Sequence, residues 1–143
     1  MHRTIRALLA LAVVTFVTAC SDSSGPNSMT GTYALIRIDG INGAGLPVVI
    51  LKDATGEFRI TAGDVTLNSN NTFSASGTGE VIQPGQTTTV SQTCTGTYSV
   101  SGSGVTFTGA PSTDCDGAIT GTWDGANTLT ITVDATVQAV FKK

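Results

Sequence analysis

Apolar and polar residues alternate with period two along most of the chain after Met29, the pattern of half-buried β-strands. Val65 and Leu67 flank Thr66, and after Ser69-Asn70-Asn71 the pattern returns through Phe73, Ala75 and Gly77. Tyr98 and Val100 lead into Ser101-Gly102-Ser103-Gly104, and Val105 and Phe107 come back. Ile119, Gly121 and Trp123 lead to Asp124-Gly125-Ala126-Asn127, followed by Leu129, Ile131 and Val133. A last strand is predicted from Val137 to Phe141, and one long hairpin joins Thr72–Ile82 to Gln86–Val100 around Pro84-Gly85. The intervening residues are mostly Thr and Ser, which suit a solvated strand face. No window after Met29 carries the i, i+3, i+4, i+7 spacing of an amphipathic helix.

The beginning of this region is less regular. Thr32 to Ile38 is an apolar run with little alternation, so both of its faces are expected to be partly covered. Gly40 to Gly45 reads as a loop, and Leu46 to Leu51 as a short strand that Pro47 confines to an edge or a strand start. Glu57 to Ala62 alternates through Phe58 and Ile60, and Gly63-Asp64 shifts the phase as a bulge or turn does. The whole predicts about eight to ten sequential antiparallel strands. A meander of that size removes its edges by closing, so the expected fold is all-β, a small antiparallel up-and-down β-barrel. A two-sheet sandwich is the alternative.

The first nineteen residues follow another grammar. Arg3 and Arg6 precede an uncharged apolar run from Ala7 to Val17, too short for a spanning helix of about 20 residues. A basic start and a short apolar stretch make a secretory signal. Val17-Thr18-Ala19-Cys20 resembles the lipobox of bacterial lipoproteins. The resemblance implies cleavage before Cys20, acylation of Cys20 and a membrane anchor. It also implies outer-membrane sorting, because Ser21 rather than Asp follows the cysteine. Residues 20–29 then form a polar, breaker-rich tether, and residues 30–143 the folded domain. Cys94 and Cys115 remain as an even pair in an exported chain. A bridge between them closes a loop of about 20 residues, worth roughly 3 kcal/mol. Two free thiols are the other possibility.

Composition removes several functions. The chain has one histidine, His2, so cleavage leaves 124 residues without an imidazole. Catalysis by Ser-His-Asp or Cys-His and histidine-ligated metal sites are excluded. Removal of Arg3 and Arg6 leaves five basic residues against all ten acidic ones, a net charge of −5. Nucleic acid is therefore not an expected partner. Asp114-Cys115-Asp116-Gly117 holds a fragment of a calcium loop but lacks its other oxygen ligands, and reads as a solvated turn. Asp64, Glu80, Asp114 and Asp124 are scattered in sequence. No catalytic site, metal or cofactor is expected.

The domain carries Gly31-Thr32-Tyr33, Asp39-Gly40, Leu67 to Phe73, Cys94 to Tyr98 and an apolar final strand ending in Lys142-Lys143. In these motifs it resembles small secreted bacterial lipoproteins with a lipocalin-like domain. The resemblance implies a lipocalin-like barrel. The chain departs from true lipocalins in placing Tyr33 on the first strand and its only Trp, Trp123, near the end. Phe73, Tyr98, Phe107 and Trp123 are the candidate lining of a cavity, since an eight-stranded barrel either holds one small ligand or fills itself with side chains. Small residues at Ala75, Gly77, Gly121 and Ala139 leave room for a ligand. The expected function is a lipid-anchored, non-enzymatic module binding a small apolar molecule. The alternative is a structural or inhibitory protein whose loops, around Leu46–Leu51 or Thr87–Thr89, contact another envelope protein. Ser101 to Gly104 looks like the cleft-plugging loop of lipid-anchored lysozyme inhibitors, but Thr106 and Phe107 replace the basic residue and Tyr of that family.

Overall fold

The structure, a computed structural model, describes residues 28–41, 45–111, 115 and 117–143. Cys20, Asp114 and Asp116, like the expected signal sequence, lie outside the described residues. Nine strands run in chain order: β1 (Gly31–Asp39), β2 (Val48–Lys52), β3 (Glu57–Leu67), β4 (Thr72–Gln83), β5 (Gln86–Ser101), β6 (Gly104–Gly109), β7 (Gly117–Trp123), β8 (Thr128–Thr132) and β9 (Gln138–Lys142). Every pairing is antiparallel, and none of the described residues is helical.

Strand β1 closes the sheet. Its first residues pair with β3 (Tyr33 opposite Val65) and the rest with β9 (Leu35 opposite Phe141, Ile38 opposite Ala139). The result is a closed barrel of eight strands, with β2 as an extra strand laid on the first half of β3. A sandwich is thereby ruled out. The barrel is compatible with the lipocalin-like domain that the sequence resembles. The weak alternation of β1 has a local cause: a bulge between Leu35 and Arg37 moves the inward positions from Tyr33 and Leu35 to Ile38. The phase shift expected at Gly63-Asp64 is also a bulge, but it falls earlier, between Ile60 and Ala62.

The two ends of the barrel differ. One end carries the turns after β3, β5 and β7, and both ends of the described chain. There Lys143 Nζ donates to the carbonyl of Ser28 at 2.7 Å and sits 5.5 Å from the centre of the Tyr33 ring. This end is packed shut. Tyr33, Leu67, Val105 and Leu129 are fully buried, and Tyr98, Phe107 and Phe141 nearly so. Phe73 meets Phe107 edge to face at 5.2 Å, a favoured aromatic geometry. The buried phenols are satisfied by backbone: Tyr33 Oη donates to the Met29 carbonyl at 2.7 Å and Tyr98 Oη to the Asn68 carbonyl at 2.8 Å. At the other end the long β4–β5 hairpin turns at Pro84-Gly85, with Gly85 at φ 79°. That end is open.

Candidate ligand-binding trough

The open end exists because neighbouring strands differ in length. Strand β5 pairs with β4 from Gln86 to Thr97, whereas β6 covers β5 only from Gly96 onward. Beyond Cys94, toward the tip, the outer edge of β5 has no paired strand among the described residues, while β4 stays paired with β3 as far as Ile82. Its inward positions are small on β4 (Ala75, Gly77, Gly79) and face Cys94, Gln92 and Val90 on β5. The first half of β3 curves beside them and contributes Phe58 and Ile60.

Three cavities follow this face. The innermost, about 80 Å³, is lined by Val65, Phe73, Ala75, Phe107, Ile119 and Ile131 with both cysteines. The second, about 220 Å³, shares Ala75, Cys94 and Cys115 with the first and adds Gly77 and Gln92. The outermost, about 470 Å³, shares Gly77 and Gln92 with the second and is walled by Phe58, Ile60, Gly79 and Val90. Each shares lining residues with the next, so the three lie in series from the barrel mouth onto the hairpin, a row called the trough below. Cys94 and Cys115 stand at disulfide distance, Cα–Cα 5.6 Å, as expected from the sequence. Together with the Ala110 N–H donating to the Thr95 carbonyl at 2.9 Å, they pin the connection after β6 against β5.

The four aromatic residues singled out from the sequence divide between two places. Phe73 and Phe107 form the floor of the innermost cavity. Tyr98 and Trp123 belong to the packed core of the closed end and line none of the three cavities. Burial raises the Tyr98 phenol above its ordinary pKa. It does the same to Tyr33, partly offset by the Trp123 indole N–H that faces the hydroxyl. That N–H is buried and makes no hydrogen bond of good geometry among the described residues. Of the small residues expected to leave room, Ala75 and Gly77 do so. Gly121 instead lies against the Thr130 carbonyl, and Ala139 is part of the core.

Sequence reasoning missed Phe58, Ile60, Gly79, Val90 and Gln92. The available signal was the length mismatch between the long hairpin and the short Val105–Phe107 strand that follows it. The carboxylates on the described strands and turns have structural partners. Arg59 Nη2 lies 2.6 Å from Glu80 Oε2, Ser76 Oγ donates to Asp64, and Asp124 Oδ1 accepts the N–H groups of Ala126 and Thr128 at 2.9 Å. No group of three or more metal-ligating side chains occurs among the described residues. Ser101 to Gly104 is a tight hairpin turn at the closed end, with Gly102 at φ 61°. The chain matches no protein-family model, and a search of curated proteins likewise finds no match.

Proposed function

We propose that this protein is a lipid-anchored, non-enzymatic binding module of the cell envelope, holding a small apolar molecule in the trough at the open end of its barrel. The row of three neighbouring, mainly apolar cavities that share lining residues carries this reading. Ligand sites are typically concave and mostly apolar, with a few placed polar groups, and here Gln92 supplies an amide among apolar walls. The anchor rests on the charged start, the apolar run and Val17-Thr18-Ala19-Cys20. In this reading Cys20 is acylated and outer-membrane sorting follows from Ser21. Since Ser28 is held at the closed end, a tether at Cys20 would present the trough away from the bilayer. Two measurements test the proposal. Metabolic palmitate labelling should disappear in Cys20→Ala, and the mature chain carrying Cys20→Ser should bind the lipophile Nile red saturably. Labelling that persists, or Nile red signal that never saturates, would refute the corresponding half.

One observation favours the second reading, contact with another envelope protein. Among the described residues the edge of β5 from Gln86 to Thr93 is free of a partner strand, and it has no charge, no proline and no register shift. Free edges are usually blunted by such devices. The edge of β2 has them: it follows Pro47, ends on Lys52 and is bulged between Val49 and Leu51. This reading predicts that Thr89→Lys abolishes cross-linking to an envelope protein, and unchanged cross-linking would count against it.

A further inference from the structure

A glycine in the middle of a β-strand lowers stability unless something needs its bare backbone. Most of the described strand glycines here have such a need. A Cβ on Gly79 would lie 2.8 Å from the Phe58 ring, one on Gly96 2.0 Å from the Thr108 carbonyl oxygen, and one on Gly121 2.5 Å from the Thr130 carbonyl oxygen. Gly31 and Gly117 have positive φ. Gly77 differs. Its φ is not in the left-handed region, it sits mid-strand, and a Cβ there would meet nothing within 4 Å. The space in front of it is the trough, since Gly77 lines both the second and the outermost cavity.

The charges supply a second constraint. None of the residues lining the three cavities is ionisable apart from the bridged cysteines. The basic residues at the open end are each held by a carboxylate: Arg37 by Asp39 at 3.0 Å, Lys52 by Glu57 at 3.3 Å and Arg59 by Glu80 at 2.6 Å. Lys142 and Lys143 lie at the closed end. The internal residues outside the described set, 42–44, 112–114 and 116, include no Lys or Arg. An anionic head group would have to compete with a carboxylate for each of the open-end cations, and an unpaired charge among apolar walls is costly.

From these two observations we infer that the ligand is an uncharged, single-chain lipid lying extended along β4, with its chain against the bare backbone of Gly77. The inference rests on the binding-module reading and narrows its ligand class. From Phe73 to Gly79 the trough covers six strand rises, about 20 Å, the reach of an extended acyl chain with a small neutral head. Gln92 is placed to hydrogen-bond an ester or hydroxyl of such a head.

The test uses the mature chain carrying Cys20→Ser, with Nile red as the bound probe and two competitors of equal tail. These are 1-monolauroylglycerol, which is neutral, and laurate, ionised at neutral pH. Monolauroylglycerol should displace the probe at a concentration at least about tenfold below that of laurate. Gly77→Ile should weaken Nile red binding at least about tenfold with no loss of urea resistance, because its side chain enters empty space. If that variant is destabilised, Val90→Trp on the facing strand provides a second block. Equal displacement by laurate would overturn the uncharged class while leaving the apolar trough standing. Undiminished Nile red binding by the folded blocking variants would overturn the site itself, and with it the trough as the seat of the proposed function.

Discussion

The same substitution at two glycines of one hairpin should change stability in opposite directions. Gly77 and Gly96 both point inward, Gly77 from β4 opposite Gln92 and Gly96 from β5 opposite Phe73. In Gly77→Ala the new Cβ meets nothing within 4 Å. The substitution removes the conformational freedom that glycine gives the unfolded chain, a gain of about 0.5–1 kcal/mol. In Gly96→Ala the Cβ would stand 2.0 Å from the Thr108 carbonyl oxygen and 2.8 Å from the Phe73 ring. The first neighbour is backbone of the paired strand β6 and cannot rotate away. Relief requires β5 and β6 to separate, or Phe73 to leave its edge-to-face contact with Phe107. Overpacking of that kind costs about 1–3 kcal/mol, so the two variants should differ by roughly 1.5–4 kcal/mol. Urea unfolding of residues 20–143 carrying Cys20→Ser, followed by the single tryptophan Trp123, measures both midpoints. Midpoints that move in the same direction would show that Gly77 is not free of contacts, or that Gly96 is not pressed against β6.

Three further outcomes follow from the packing and the turns. Reducing the Cys94–Cys115 bridge, whose cysteines are 21 residues apart, should lower stability by about 3 kcal/mol, read as a lower urea midpoint with reductant present. Tyr98→Phe removes the hydroxyl that donates to the Asn68 carbonyl and should cost about 1 kcal/mol in the same assay. Asp53, Asp124 and Asp134 each accept hydrogen bonds of their own turn, from the Thr55 hydroxyl and then its N–H at Asp53 and chiefly from the N–H groups of Thr128 and Thr136 at the other two. These bonds hold their carboxyl pKa values below the ordinary one. A depressed folded-state pKa contributes stability above the unfolded value, about 3.9, and that contribution is lost as pH falls through the folded value. Urea midpoints of Asp124→Asn and Asp134→Asn measured across the acid range should therefore fall less steeply below about pH 4 than those of the wild type.

The parts of the fold that were legible in the sequence are the local ones. Hairpins β5–β6 and β7–β8 each pair neighbouring segments through a turn whose chemistry sits between them: Gly102-Ser103 for the first, Asp124 to Asn127 for the second. Closure depends on β1, whose partners β3 and β9 lie far along the chain and whose bulge at Ile36 breaks the alternation that would have shown its inward face. Short-range periodicity carries no record of such pairings, so barrel and sandwich were separated only by the structure. The aromatic residues were read as one lining. Yet strand position sends Tyr98 and Trp123 to the closed end, while Phe73 and Phe107 sit where it meets the open one. The trough itself arises from β5 outrunning β6 and from the emptiness in front of Gly77. Strand lengths hinted at the first, but nothing in a sequence distinguishes a glycine that faces space from one pressed against a carbonyl.

The central claim is that an apolar ligand occupies the open end and leaves the closed end untouched. Methyl NMR of residues 20–143 carrying Cys20→Ser, titrated with 1-monolauroylglycerol, tests it most directly. The account predicts saturable shifts among the lining methyls Ile60, Val65, Ala75, Val90, Ile119 and Ile131, with Leu67 and Leu129 unmoved. Shifts centred on Leu67 and Leu129, or no saturable shift at any methyl, would contradict it.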